Sequence, residues 1–123
     1  MKRVRREDTA PELAVRRFLH RAGLRYTLHG AHLPGRPDVV LPRRRTVVFV
    51  HGCFWHGHDC AHGSVQSKTN AAFWSRKIAD NRARDARKAD ELRAAGWRVE
   101  VVWECQAGDG AFLRRLARRV LRR

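Results

Sequence analysis

The sequence predicts a single α/β domain spanning residues 1–123, built on a mixed central β-sheet flanked by helices. Three observations predict this class. The apolar pattern alternates between helical and extended periods in the order α-β-β-β-α-β-α. The run Val47-Val48-Phe49-Val50 lacks polar alternation, as in a strand covered on both faces. The last segment carries Phe112, Leu113, Leu116 and Val120 as one helical stripe. A chain of 123 residues buries roughly two-thirds of its unfolded surface, which suffices for one core.

The first helix starts at Asp8-Thr9-Ala10-Pro11-Glu12. Thr9 and Glu12 have capping-box spacing, and a proline in the first turn loses no helical hydrogen bond. Leu13, Val15, Phe18, Leu19 and Ala22 supply its apolar contacts, and Gly23 stops it. Extended pieces follow at Arg25–His29, Asp38–Leu41 and Thr46–Val50, the last two joined through Pro42–Arg45 as a hairpin. Residues 51–69 hold glycine, histidine and cysteine without periodicity and read as a functional loop. Asn70 can cap a second helix that runs to about Ala95 and closes at Gly96. Trp97–Trp103 is a strand with Val99, Val101 and Trp103 on one face, and Asp109 caps the final helix.

Composition narrows the function classes. Lys and Arg number 27 against 12 Asp and Glu, a formal charge of +15. That surplus attracts a polyanion, and four tryptophans with 43% apolar content argue for a folded globule rather than a basic tail. Nucleic acid is the expected partner; an anionic lipid surface is the competing one. The basic start Met1–Arg6 has no apolar stretch behind it, and no segment approaches the roughly 18 apolar residues of a membrane span. No membrane association and a cytoplasmic, nucleoid-associated location are expected. An odd cysteine count of three suits an intracellular protein better than a disulfide framework.

Those cysteines form a metal-ligand pattern. Cys53, His58 and Cys60 lie close together, and Cys105 follows directly after the strand ending at Trp103-Glu104. Three thiolates and one imidazole make a tetrahedral structural Zn²⁺ set, with Cys105 stapling the loop to the sheet. His62 and Asp59 compete for the place of His58, and three unrelated core cysteines are the alternative.

Removing those ligands leaves His51 and His56 in the same loop, with Asp38 upstream. Asp38 stands in Leu33-Pro34-Gly35-Arg36-Pro37-Asp38, where Pro37 favours an extended approach to a strand. Sheet nucleases of the Pro-Asp type place a metal-binding acid there, although an ordinary turn acid fits the same dipeptide. Mg²⁺ keeps most of its waters, so one carboxylate and a backbone carbonyl can hold it. The acid and lysine that usually follow on the next strand are absent from Thr46–Val50. A histidine, which takes up a proton near neutral pH, is the natural substitute base.

The segments Leu33–Asp38, His51-Gly52-Cys53-Phe54-Trp55-His56, Gly96–Val99 and Val102-Trp103-Glu104-Cys105 resemble the very short patch repair endonucleases. Phe73-Trp74 with Lys77-Ile78 and Asn81 also fits, so the resemblance runs from about Asp8 to Cys105. It implies a PD-(D/E)xK-like restriction-endonuclease core with a structural zinc site. It also implies a Mg²⁺-dependent enzyme that nicks one strand of double-stranded DNA beside a T:G mismatch. Asp38 would then be the shared Mg²⁺ ligand, completed by the backbone carbonyl of Val50. His56 would be the general base, and His51 and Glu12 would hold metal-bound waters. Cys53, His58, Cys60 and Cys105 would hold zinc. Phe54, Trp55 and Trp74 would be an aromatic wedge entering the base stack, against the alternative that they are core residues. Opening a stack costs a few kcal/mol per step, aromatic stacking of about 1–3 kcal/mol per base offsets it, and a mismatch is the cheapest place to open. Arg36, Lys68, Arg76 and Lys77 fit phosphate contacts better than base readout.

The sequence departs from the family at three places. Val50 stands where the best-known members have threonine; a carbonyl ligand survives that change and a hydroxyl contact does not. His56-Gly57-His58-Asp59 replaces a run richer in histidine. Only Met1–Glu7 precede the first helix where the family carries an arm across the DNA, so either the chain is cut short there or its grip is weaker. Two rival readings remain: a non-catalytic zinc-containing DNA-binding module, and a related nuclease cutting fully paired DNA. A monomer is expected, since nicking one strand needs no second subunit, and mismatch-repair proteins are candidate further partners.

Overall fold

The computed structural model of the chain describes residues 9–53 and 71–122. Helix α1 (Ala10–Arg21) leads into strands β1 (Thr27–Leu28), β2 (Val39–Leu41) and β3 (Thr46–His51). Helix α2 (Ala71–Ala94), strand β4 (Arg98–Trp103) and helix α3 (Gly110–Leu121) follow, in the order the periodicity predicts. The sheet is four-stranded in the order β1-β2-β3-β4. β1 with β2 and β2 with β3 pair antiparallel, while β3 and β4 pair parallel. A parallel pair cannot close through a tight turn, and α2 lies in the crossover it requires.

The first helix begins as its sequence dictates. The Thr9 hydroxyl accepts from the Glu12 N–H at 3.4 Å. Both α1 and α2 end with a bond from five residues on, Leu24 N–H to the Leu19 carbonyl and Trp97 N–H to the Leu92 carbonyl, each 3.0 Å. Gly23 and Gly96 sit inside those closures, as expected. The buried stripe of α1 corrects the apolar one. It is Glu12, Val15, Arg16 and Leu19, while Leu13, Phe18 and Ala22 are only partly buried. Two charged residues therefore occupy inward positions of this helix.

The hairpin between β2 and β3 turns through a 3-10 segment at Pro42–Arg44, and Val39, Val40 and Leu41 face Val48, Val47 and Thr46. β1 is shorter than the predicted Arg25–His29, because Thr27 and Leu28 lie exposed at the sheet edge and gain little from pairing.

Both faces of β3 are covered, as its unbroken apolar run requires. On one face Val48 and Val50 join Val39, Leu41 and Val102 under α1 and α3, with Val15, Leu19, Leu113, Leu116 and Val120. On the other, Val47 and Phe49 pack with Val40, Val99, Trp97 and Leu92 of α2. The Asp109 carboxylate caps α3 by accepting from Ala111 and Phe112 N–H at 3.1 and 3.2 Å. Its buried stripe is Leu113, Leu116, Ala117 and Val120, with Phe112 partly covered. Among the described residues, no helix is long and apolar enough to cross a membrane.

Buried α2 positions are sparse among the described side chains: Ile78, Asn81 and Leu92. Leu92 is fully buried and is the main apolar anchor of this helix on the sheet. Leu92→Ala should destabilise the protein by about 2–5 kcal/mol in urea unfolding. A loss under about 1 kcal/mol would show that α2 is held by something else.

Candidate active site

Asp38 directly precedes β2, and the last residues of β3 lie beside it. The Val50 N–H donates to Asp38 Oδ2 at 2.7 Å, tying the start of one strand to the end of the next. Glu12, from the first turn of α1, His51 and Gly52 line the same open cleft of about 1530 Å³. The sequence therefore brings Asp38, Val50, His51 and Glu12 to one place. α2 forms the opposite wall of the cleft with Lys77, Asn81, Arg84 and Lys88, and Arg36 lies at its rim.

The electrostatics of Asp38 are those of a desolvated acid. Burial pushes its carboxyl up from the ordinary 3.8 to about 6. The Val50 N–H opposes that rise, the charge of Glu12 adds to it, and His29 and Arg16 lower it. Asp38, whose charge Glu12 disfavours, and Glu12 itself line one cleft and make a donor set that a hard divalent cation neutralises. Asp38 and Glu12 thus fit a Mg²⁺ ion that keeps most of its waters. Among the described residues, no group of three or more His, Cys, Asp or Glu side chains gathers as an all-protein metal cage.

His51 is held between rings. Its imidazole lies edge-on to Trp103 at 5.2 Å between centroids and tilted to Phe49 at 5.6 Å. The β3–β4 register pairs His51 with Trp103. Cys53 and Cys105 each follow that pair by two residues, just past the ends of neighbouring strands. The Cys53 N–H donates to Glu104 Oε1 at 3.3 Å, which ties the two cysteine segments together. Half of the predicted zinc set is therefore at one end of the sheet. His58 and Cys60, like the competitors Asp59 and His62, lie outside the described residues. So do His56, Phe54, Trp55 and Lys68. Trp74 falls within α2, and its side chain lies outside the described part.

The predicted phosphate contacts divide by position. Arg76 and Lys77 are exposed on α2 near Phe73, which is itself 58% exposed. Arg36 is exposed in a loop pressed against α2. Gly35 has φ +74, and a Cβ there would meet Lys88 Cβ at 2.9 Å, so only glycine permits the approach. Arg36 itself takes a left-handed backbone with φ 50, which for a residue with a side chain costs about 1–2 kcal/mol.

Sequence reasoning missed two residues here, Arg16 and His29. Arg16 Nη2 donates to Glu12 Oε2 at 3.0 Å and lies 3.3 Å from His29 Nε2. The signal available was the four-residue spacing of Glu12 and Arg16, which reads equally well as an exposed helical ion pair.

Comparisons with known proteins bear on this site. The profile of the family described as "DNA mismatch endonuclease Vsr" matches residues 1–62. "Type II nicking enzyme V.XorIIP" of Xanthomonas oryzae pv. oryzae is 52% identical over 121 residues, covering 98% of this chain and 88% of that protein. "Type II nicking enzyme V.NmeAIP" of Neisseria meningitidis is 42% identical over 122 residues, covering 99% and 86%. "DNA mismatch endonuclease Vsr" of Escherichia coli is 44% identical over 105 residues, covering 85% and 67%.

The raised Asp38 carboxyl makes a stability prediction. Its folded-state value lies above the unfolded one, so the associated stability is fully present below about pH 3.8 and is lost as pH rises through about 6. Asp38→Asn removes that loss while keeping an acceptor for the Val50 N–H. In Mg²⁺-free buffer the variant should gain on the parent as pH rises from 4 to 7.5, by up to about 3 kcal/mol in urea unfolding. An equal difference at both pH values would contradict the desolvation of Asp38.

Proposed function

The chain belongs to the Vsr family of DNA mismatch endonucleases and is an endodeoxyribonuclease; from that premise we propose that it nicks one strand of duplex DNA beside a T:G mismatch. The reaction uses Mg²⁺, and a structural Zn²⁺ holds the loop that carries the base. The observation carrying this reading is the desolvated Asp38 carboxylate, bonded to the Val50 N–H and lining one cleft with Glu12, Arg36 and Lys77.

Asp38 and the Val50 backbone carbonyl hold Mg²⁺ in this reading, and Glu12 and His51 hold its waters. When bound, the ion offsets charge on the scissile phosphate and acidifies water. His56 takes the proton from the water whose oxygen attacks phosphorus, while the scissile P–O bond breaks and its sugar oxygen leaves to become a hydroxyl on protonation. The rings of Phe49 and Trp103 fix His51, so it presents a set orientation to the cleft. Cys53, His58, Cys60 and Cys105 hold zinc; the side-by-side ends of β3 and β4, with Cys53 tied to Glu104, support that set. Such a clamp keeps the Phe54-Trp55 wedge and His56 in register, and Trp74 joins the wedge from α2. Arg36, Lys68, Arg76 and Lys77 bind phosphates and orient the duplex without reading sequence.

The names of the relatives favour a second reading on one point, the substrate. Some are called nicking enzymes without mention of a mismatch, so cleavage of fully paired DNA is the competing specificity. A panel of T:G, T:A and C:G duplexes with Mg²⁺ separates the two: product from T:G alone is expected. Equal nicking of the paired duplexes would overturn mismatch specificity. On T:G duplex, Asp38→Ala should lose Mg²⁺-dependent turnover with zinc content unchanged, and His56→Ala should bind without nicking. Normal cleavage by either variant would remove its assigned role. With ~6–10 phosphate contacts, duplex affinity should fall roughly 10³–10⁵ between about 50 and 200 mM salt. A flat salt profile would contradict a phosphate-dominated grip.

A further inference from the structure

Beneath the cleft floor, the inward stripe of α1 carries a buried cation. Arg16 is 7% exposed and Glu12 3%, one helical turn apart, with Arg16 Nη2 on Glu12 Oε2 at 3.0 Å. The same nitrogen lies 3.3 Å from His29 Nε2. An arginine only donates, so this contact is a hydrogen bond when the His29 Nε2 lone pair accepts it. His29 is itself fixed, with a left-handed backbone at φ 50 and its N–H on the Asp38 carbonyl at 3.1 Å. The chain of contacts thus starts at the Asp38 backbone, passes through His29 and Arg16, and returns at Glu12 to the site of the Asp38 carboxylate.

Stability alone gives little reason for this arrangement. Burying two charges forfeits their hydration, and a well-packed apolar pair serves the fold about as well. What the ion pair does provide is a fixed direction for one carboxylate: Oε2 is engaged by Arg16 on the core side, and Glu12 also lines the cleft. We propose that Arg16, braced by His29, is a positioning residue that holds the Glu12 carboxylate oriented beside Asp38 for the divalent cation. The inference rests on the metal-dependent reading above.

A bystander charge and a positioning residue predict opposite signs. Deleting a positive charge near a cation site would by itself tighten cation binding. Losing the group that aims Glu12 weakens it, since partners that orient ligands are worth about 10–100-fold in metal affinity or activity. The test is Mn²⁺ binding by titration calorimetry, with nicking of T:G duplex alongside, on the full-length protein, Arg16→Met, Glu12→Gln and the double variant. Arg16→Met should bind Mn²⁺ about 10-fold more weakly and nick about 10–100-fold more slowly, with duplex affinity unchanged. Tighter or unchanged Mn²⁺ binding overturns the proposal.

If Arg16→Met fails to fold because Glu12 is left buried and unmatched, the double variant, with both charges removed, decides. It should bind Mn²⁺ and nick no worse than Glu12→Gln, because Arg16 acts through Glu12. A further 10-fold loss beyond Glu12→Gln would mean that Arg16 acts elsewhere, and would overturn the proposal. Parent protein that neither binds Mn²⁺ nor nicks sinks the metal-dependent reading itself, an outcome distinct from an unaffected Arg16 variant.

Discussion

The hydrogen bond from the Val50 N–H to the Asp38 carboxylate, 2.7 Å long, is the contact on which the site depends. It joins the start of β2 to the end of β3 and gives a desolvated acid its backbone donor. Without it, Asp38 would meet burial and the charge of Glu12 with less to offset them. With it, the acid stays beside the strand end that carries His51 and leads to Cys53. Fold and chemistry meet at this strand end because parallel pairing with β4 places Trp103 opposite His51.

That pairing also divides the labour of the molecule. α1 and α3 close one face of the sheet with apolar side chains, and α2 crosses the other with few buried anchors. Most described side chains of α2 are consequently free of core duty, and several of its cations line the cleft. A formal charge of +15 repels itself. Within the cleft, Lys77, Arg84 and Lys88 of α2 are interspersed with Asp85 and Asp90, and Asp38 and Glu12 line the same cleft from β2 and α1.

The order of elements was legible because burial on one or two faces leaves a period in the sequence, and β3 shows this most clearly. Edge strand β1 was overestimated, since exposed Thr27 and Leu28 carry no such constraint. Of the site, Asp38 and His51 were legible from residue type and position, Glu12 only through the family resemblance, and all three line one cleft. Cys53 and Cys105 were legible as strand-end residues, and the β3–β4 register places both just past the same pair. Arg16 and His29 were not. A charge on an inward helix position breaks the amphipathic rule that sequence reading relies on, and the left-handed backbone of His29 leaves no mark in a residue more common elsewhere. Such violations concentrate where a fold gives up local preference to hold a functional group.

Asp38 is a desolvated acid at the proposed site of a divalent cation, and its own titration tests both properties most directly. Following the Asp38 carboxyl carbon by NMR in Mg²⁺-free buffer should give a midpoint of about 6. Added Mg²⁺ should lower that midpoint, because ion and proton compete for the same oxygens. A midpoint near the ordinary 3.8, unmoved by Mg²⁺, would contradict both the burial and the metal role of this residue.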